Sequence, residues 1–118
     1  MIGKTLWAIG DGFMSDTAKG NYVSHEAVCI LNTSDIDAEI KITVYFEDRE
    51  PMSGFTAVCG ARRTNHIRLD KIKNDKGEPI PHEVPYALLV ESNTPVVAQH
   101  SRMDVSQAEM TLMTTMAY

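Results

Sequence analysis

The amino-acid sequence predicts an all-β fold, an antiparallel β-sandwich that is jelly-roll-like and has about seven to nine short strands with little helix. Three observations predict it. Short apolar stretches recur along the chain, clusters of turn-forming residues separate them, and no long segment carries the periodicity of a helix. Because strands do not alternate with helices, a nucleotide-binding α/β fold is not expected.

Length and composition predict a single domain. The chain has 118 residues, of which 43% are hydrophobic and 23% charged, as in globular proteins. This length is enough to bury one core and too short for two. We therefore expect one domain over residues 1–118.

The clearest strand lies at Ala38–Phe46, where apolar and polar side chains alternate as they do on a half-buried strand. Residues 32–37, just before it, are turn formers. Glu26–Leu31 is an apolar stretch that precedes this turn. The pattern thus predicts two neighbouring strands joined by a short loop.

Two further strands are predicted after a turn at residues 50–54. They are Phe55–Cys59 and Arg63–Leu69, with Gly60 between them as a candidate bend or bulge. Residues 70–85 are rich in proline and polar residues, which indicates an exposed excursion that is not part of a sheet.

The last third of the chain predicts a hairpin and one ambiguous segment. Tyr86–Glu91 and Val96–Met103 read as hairpin partners across a tight turn at residues 93–95. At residues 106–109 the spacing is that of a helix capping box, whereas residues 110–116 alternate at strand period. The β-branched threonines favour a strand here.

The pattern His-x-Arg-x-Asp occurs twice, at residues 66–70 and at residues 100–104. Side chains two positions apart share one face of a strand, so each triplet would place its imidazole, guanidinium and carboxylate together. Two strands would then present the same polar set. Ordinary solvent-facing residues at a sheet rim are the alternative. The flanking residues do not match, so this is not an internal repeat.

Charge and cysteine content narrow the functional classes. The net charge is −5 and no basic run exceeds Arg62-Arg63, which disfavours a nucleic-acid binder unless basic residues gather locally. Cys29 and Cys59 lie inside apolar runs, as buried thiols do in a reducing compartment, and a disulfide between them is the less favoured alternative. The sequence shows neither a secretory signal nor a stretch that would insert into a membrane. We expect a soluble, cytoplasmic protein.

Catalytic and metal motifs are weak in this sequence. Its four histidines, His25, His66, His82 and His100, lack the local spacing of a zinc motif. It contains no Gly-x-Ser-x-Gly element and no complete phosphate-binding glycine loop. We expect no metal, no cofactor and no enzymatic activity. Arginine forks, imidazoles and a flat indole suit the binding of a small polar or anionic ligand.

Several short motifs, in a fixed order that includes all four histidines, extend over nearly the whole chain. They are Trp7–Gly12, Ser24–Asn32, Ala61–Arg68, Ile80–His82, Gln99–Asp104 and Gln107–Glu109. In this order and spacing the chain resembles the sensory rhodopsin transducer family. The resemblance implies a small cytoplasmic β-sandwich that assembles as a homotetramer, binds a small, sugar-like molecule and in some members associates with a sensory rhodopsin.

The resemblance also implies a polar ligand-binding site. Carried over position by position, it consists of Trp7, Asp11, His25, Glu26, Arg62, Arg63, His66, His100 and Arg102. Two departures affect ligand identity and a rhodopsin partnership. Asp11 stands where the family commonly has the longer glutamate, and residues 13–22 form a shorter, less proline-rich segment.

These observations favour a non-enzymatic sensory or signalling domain that binds a small polar ligand and relays its presence through partner or assembly contacts. One alternative is a transducer that docks on a sensory rhodopsin through an acidic surface around residues 47–50. Another is a tetramer that gathers copies of Arg62, Arg63 and Arg68 to bind DNA. A metal-dependent enzyme that uses the histidines is the least favoured.

Overall fold

The computed structural model describes residues 2–16, 24–104 and 111–118, and these residues form seven β-strands and no helix. The strands are β1 (Lys4–Gly12), β2 (His25–Asn32), β3 (Ala38–Phe46), β4 (Met52–Cys59), β5 (Arg63–Arg68), β6 (Tyr86–Asp104) and β7 (Thr111–Met116). Every pairing between them is antiparallel. The predicted all-β, antiparallel sandwich class is confirmed.

Strand β6 belongs to two layers. Its first half lies between β3 and β1, with β4 outside β3, and we call this layer the first sheet. Its second half lies between β2 and β7, with β5 outside β2, and this is the second sheet. The inner faces of both sheets contribute to a common core, which includes Val28 and Ile30 from β2, Ile40 and Ile42 from β3, and Phe55 from β4.

One side of β6 faces the core along almost its whole length. The buried side chains on this side are Tyr86, Leu88, Val90, Thr94, Val96, Ala98 and His100. A straight strand of this length would extend about 60 Å, whereas the longest dimension of the molecule is 42 Å. Strand β6 therefore curves around the core, which allows side chains from its two halves to meet.

The turn predicted at residues 93–95 is wrong, and so is the hairpin around it, because β6 continues through these residues. Here β6 leaves the first sheet and enters the second. The Ser92 hydroxyl donates a hydrogen bond of 2.7 Å to the carbonyl of Thr94. Pro95, which has no amide hydrogen, falls where β6 changes partners. These turn-forming residues accommodate a change of sheet and not a reversal of the chain.

Most other predicted elements are confirmed within a few residues. Strand β3 has the predicted limits, and β2 extends one residue beyond its predicted limits at each end. Strand β5 ends one residue earlier than predicted, and β4 starts three residues earlier. The two strands predicted as neighbours, β2 and β3, do not pair, because β6 lies between them. The sequence pattern predicts no strand over β1. Its glycines and single lysine obscure the alternation that marks a strand.

The excursion predicted at residues 70–85 contains no named strand and has one isolated bridge, between Lys73 and Pro79. At the C-terminal end the strand interpretation is confirmed, since β7 pairs with the second half of β6. The capping-box residues 106–109 lie outside the described residues, as do residues 17–23 of the N-terminal segment.

Candidate functional site

A buried carboxylate, Glu26, lies at the centre of the candidate site, and its residue is only 1% exposed. Its Oε1 accepts hydrogen bonds from His100 Nε2, at 2.8 Å, and from the Tyr86 hydroxyl. Its Oε2 accepts bonds from Arg102 Nε, at 2.8 Å, and from the backbone amide of Phe13, at 2.9 Å. We call Glu26, Tyr86, His100 and Arg102 the Glu26 cluster. Because an ionised carboxylate only accepts hydrogen bonds, His100 donates from Nε2.

The pKa shifts agree with this pattern of donors and acceptors. Burial alone would raise the pKa of Glu26, but hydrogen bonds from His100, Tyr86 and Phe13 outweigh burial, and the pKa lies below its ordinary value of 4.5. Burial, together with the charge of Glu26, raises the pKa of Tyr86 far above its ordinary value. Burial would lower the pKa of Arg102, but Glu26 and Asp11 raise it. At neutral pH Glu26 is therefore ionised, Tyr86 protonated and Arg102 positively charged.

The curvature of β6 assembles the cluster. Tyr86 comes from the first half of this strand, and His100 and Arg102 come from the second half. Strand β1 completes the arrangement through Gly12, since a Cβ atom at this position would lie 2.4 Å from the Tyr86 ring. Only glycine therefore lets the Tyr86 ring lie against β1 with its hydroxyl at Glu26.

A β-bulge in β1 directs Asp11 towards the cluster. Ile9 pairs with Leu88 and Gly12 pairs with Tyr86, so β1 has one extra residue between these pairs. Asp11 Oδ1 lies 3.5 Å from Arg102 Nη2, and Nη2 also donates to the Asp11 carbonyl at 3.3 Å. The Asp11 side chain is largely exposed. The bulge therefore places a second, weaker acceptor beside the Arg102 guanidinium.

A cleft of about 310 Å³, the first cleft, opens beside the cluster. It is lined by Ala8, Ile9, Gly10, Asp11, His100, Arg102, Met113, Thr115, Met116 and Tyr118. Strand β7 forms one wall, with Thr115 paired to His100 and Met113 paired to Arg102. This volume suits a small molecule, and a few polar groups within a largely apolar wall are typical of binding sites.

The two His-x-Arg-x-Asp triplets do not form one site, and the expectation that two strands present the same polar set is wrong. In the second sheet His66 pairs with Cys29, which pairs with Gln99 on β6, whereas His100 pairs with Val28. The register therefore differs by one residue, and side chains one residue apart point to opposite faces. His66 is exposed on the outer face, while His100 is buried.

The outer triplet is internally paired. Arg68 donates from Nε and Nη2 to the two carboxylate oxygens of Asp70, each at 2.8 Å. A guanidinium that is already held by a carboxylate in this two-bond geometry is poorly available to a ligand. His66 therefore has no neighbouring free guanidinium from its own triplet.

The remaining predicted site residues lie elsewhere. Trp7 is buried and donates its indole N–H to the Val96 carbonyl, at 2.8 Å, so its ring packs in the core and is not presented for stacking. His25 lines another cleft on the second sheet, which shares Arg102 and Met113 with the first cleft. Arg62 and Arg63 are exposed at the junction of β4 and β5. Of the nine predicted residues, the structure brings together four, which are Asp11, Glu26, His100 and Arg102.

Sequence reasoning missed Tyr86, Gly12 and Thr115. A tyrosine at the start of an apolar strand resembles an ordinary core residue, and nothing in its neighbours shows that its hydroxyl meets a glutamate distant in sequence. Gly12 belongs to Gly-x-Gly, which is too common to signal this packing. Thr115 lies in a segment where strand and helix competed in the sequence.

Potential metal ligands and thiols in the described residues are the next features of the structure. Within residues 2–16, 24–104 and 111–118, no group of three or more His, Cys, Asp or Glu side chains is placed to hold a metal ion. Cys29 and Cys59 are both free, and burial raises the pKa of the Cys59 thiol. None of the described residues forms a helix long and apolar enough to cross a membrane.

The chain is similar to known proteins over its whole length. A family model described as Anabaena sensory rhodopsin transducer matches residues 2–118. The crystal structure of Thermotoga maritima 1070 has 42% sequence identity and a TM-score of 0.89, and the match covers 100% of this chain and 96% of that chain. No curated protein sequence matches the chain.

A second solved structure, the Anabaena sensory rhodopsin transducer, has 41% identity and a TM-score of 0.75. That match covers 84% of this chain and 96% of the Anabaena chain. The family is named for a transducer, which is a signalling protein and not an enzyme. Together with the family match over residues 2–118, these similarities show that the chain belongs to the Anabaena sensory rhodopsin transducer family.

Proposed function

We propose that this chain is a non-enzymatic signalling domain over residues 1–118 that binds a small polar ligand, sugar-like or anionic, in the first cleft. One observation carries the proposal: a buried, fully hydrogen-bonded carboxylate holds the Arg102 guanidinium at the wall of this cleft. Burying charges costs free energy that apolar packing would avoid, so a buried charged cluster beside a cleft favours a functional role.

The groups that can contact a ligand are those whose hydrogen-bonding capacity is not already used within the protein. Glu26 accepts four hydrogen bonds and has no further capacity for a ligand. Arg102 is held by Glu26 through Nε, while its contact with exposed Asp11 is longer, at 3.5 Å. An oxygen of a ligand replaces Asp11 at Arg102 at little cost, and the Thr115 hydroxyl supplies a second polar contact from the neighbouring strand β7.

Strand β7 connects the cleft to the surface of the protein. Its inner side lines the first cleft, and all six of its residues are exposed, with Leu112 at 67%. An uncharged edge strand with exposed hydrophobic side chains readily pairs with another chain. We propose that β7 is the contact through which copies assemble as a homotetramer and that a bound ligand alters assembly by fixing β7.

Docking on a sensory rhodopsin is the second candidate function. Its support is the name of the family and 41% identity to the Anabaena transducer. The exposed, mostly acidic residues 47–50, which follow β3, would make the contact. DNA binding has less support, since Asp70 neutralises Arg68 and leaves only Arg62 and Arg63 of the proposed basic set. The cytoplasmic location predicted from the sequence remains part of the proposal.

Thermal unfolding with a small panel of compounds tests the ligand proposal. Suitable compounds are ribose, glucose, inorganic phosphate and citrate, because a ligand that binds the folded state raises the unfolding temperature. The variants are Thr115→Val and Arg102→Lys, in the first cleft. Their controls are Thr114→Val, on the other side of β7, and Arg68→Lys, in the outer triplet.

We expect at least one compound to stabilise the wild type and both control variants, and to stabilise both cleft variants less. Equal stabilisation of all five proteins would show that the ligand binds elsewhere. If no compound stabilises the wild type, the ligand proposal fails and docking on a rhodopsin becomes the better account. Co-purification with a detergent-solubilised sensory rhodopsin then tests this second candidate.

A further inference from the structure

A second cleft, of about 400 Å³, shares Gly10 and Asp11 with the first cleft. It lies where the bulge of β1, the end of β3 and the start of β6 meet. Its lining consists of Gly10, Asp11, Tyr45, Phe46, Glu47, Pro85, Tyr86 and Ala87. The function proposed for the first cleft does not use this site.

The lining of the second cleft combines carboxylates with aromatic rings. Asp11 and Glu47 bring two carboxylates, both from exposed residues, and the lining includes no lysine, arginine or histidine. Tyr45, Phe46 and Tyr86 bring three aromatic rings, and Tyr45 is 42% exposed. Tyr86 is buried and Phe46 packs partly against the core. Tyr45 therefore supplies the accessible π-face beside the carboxylates.

The aromatic wall already attracts a cation. The Arg49 guanidinium lies 5.3 Å from the centroid of the Phe46 ring, a distance typical of cation–π contacts. Arg49 is also paired with Asp48, at 2.9 Å, so these two charges offset one another beside the cleft. Arg102, 3.5 Å from Asp11, likewise offsets part of the Asp11 charge. Glu47 is therefore the main charge that a ligand in this cleft would meet.

We infer that the second cleft binds a small organic cation, such as a quaternary ammonium compound. Its N-methyl groups would pack on the exposed Tyr45 ring, and its positive charge would be balanced chiefly by Glu47, with a smaller contribution from Asp11. The net charge of −5 for the whole chain adds long-range attraction for a cation. An anion would meet two carboxylates and no basic group in the lining.

Choline and its uncharged isostere 3,3-dimethylbutan-1-ol provide the test, because the two molecules have nearly the same shape and differ in charge. Each is titrated into the protein at constant ionic strength, and binding is followed by NMR through the resonances of the Tyr45 and Phe46 rings. The variants are Glu47→Gln and Tyr45→Leu. Glu39→Gln is the control, because it removes the same charge from an exposed position on β3 outside the cleft.

We expect choline to bind wild type more tightly than the isostere does. Glu47→Gln and Tyr45→Leu should each weaken choline binding roughly three- to tenfold, and Glu39→Gln should leave it nearly unchanged. Equal binding of choline and the isostere, or no binding of choline, would overturn the inference. Equal weakening by Glu39→Gln and Glu47→Gln would overturn it as well, since it would show a non-specific effect of net charge.

Discussion

His100 Nε2 lies 2.8 Å from Glu26 Oε1, and both side chains are buried, at 6% and 1% exposure. The same oxygen accepts the Tyr86 hydroxyl, which comes from the other half of β6. Glu26 therefore connects the two halves of a strand that belongs to both sheets. Its hydrogen bonds stabilise the curve of β6 and at the same time position Arg102 at the first cleft.

Replacing Glu26 with glutamine should destabilise the fold. The amide NH₂ of glutamine would face a group that donates a hydrogen bond to Glu26 in the wild type. The substitution would also leave Arg102 without its buried counter-charge. Breaking a buried ion pair in this way costs about 3–5 kcal/mol. Urea unfolding at pH 7 measures the loss, and Glu39→Gln, an exposed position on β3, should stay within about 0.5 kcal/mol of wild type. A Glu26→Gln variant as stable as this control would contradict the assignment.

The contribution of Glu26 should depend on pH in the acid range. Its pKa in the folded protein lies below the ordinary value of 4.5, so its contribution is complete above about pH 5 and is lost as the pH falls through the folded pKa. Asp70 also titrates in the acid range, and it does so equally in wild type and in a Glu26→Gln variant. Burial would raise its pKa, but Arg68 lowers it.

Urea unfolding of wild type and Glu26→Gln between pH 7 and pH 3 measures this dependence. The difference in unfolding free energy between the two proteins should be constant near neutrality and should shrink towards pH 3. A difference that stays constant down to pH 3 would show that Glu26 is not the group that titrates.

The Tyr86 hydroxyl should stabilise the folded protein at neutral pH, and this stabilisation should decrease in alkali. Tyr86→Phe keeps the ring and removes the hydrogen bond to Glu26, which should cost about 1–2 kcal/mol at pH 7. Burial first, and then the charge of Glu26, raise the pKa of Tyr86 in the folded protein above its ordinary value of 10.0. Above about pH 10 the unfolded chain therefore loses this proton and the folded chain keeps it, so wild type loses stability.

Chemical unfolding at pH 7 and near pH 11 compares wild type with Tyr86→Phe. The advantage of wild type should be smaller at the higher pH. An advantage that grows in alkali would mean that the hydroxyl is ionised in the folded protein, contrary to the structure.

Two glycines of β1 form a matched pair. A Cβ atom at Gly12 would lie 2.4 Å from the Tyr86 ring, whereas one at Gly10 would meet nothing within 4 Å. Gly12→Ala should displace Tyr86 from Glu26 and cost about 1–3 kcal/mol. Gly10→Ala should be neutral or stabilise the protein by up to about 1 kcal/mol. Thermal unfolding measures the stability of both variants. An equal change in unfolding temperature in the two variants would contradict the close packing at Gly12.

Assembly through β7 should be sensitive to charge. Leu112 is 67% exposed on β7, and Val58 is 57% exposed on β4, so the two positions are matched hydrophobic sites on edge strands. Leu112→Asp should reduce the assembly to smaller species, because a charge on a pairing edge opposes association. Val58→Asp should leave the proposed tetramer intact, so that light scattering gives the same mass as for wild type. The reverse result would place the interface on the first sheet.

Local patterns in the sequence were enough to predict most strands but not how they pair. The alternation in Ala38–Phe46 reflects one buried and one exposed face, and this is a local property that the sequence records directly. Residues 93–95 carry the chemistry of a turn, yet β6 continues, because a change of sheet and a reversal of the chain use the same residue types. Only tertiary packing distinguishes the two.

The candidate site shows the same division. The repeated triplet and the family resemblance predict His100 and Arg102, and the resemblance alone predicts Glu26. His66 was grouped with His100 because the two triplets look alike, but a register difference of one residue places them on opposite faces. Register depends on pairing between distant segments, so a motif within one strand does not predict the register of that strand.

NMR can show whether a ligand binds in the first cleft, beside the Glu26 cluster. A compound that stabilises the wild type is titrated into isotope-labelled protein, and backbone amide resonances are followed. We expect the largest changes at Ala8, Thr115 and Met116, which line the first cleft and not the second, and almost none at His66 and Arg68 in the outer triplet. Changes centred on His66 and Arg68, with none at the cleft, would contradict binding in the first cleft.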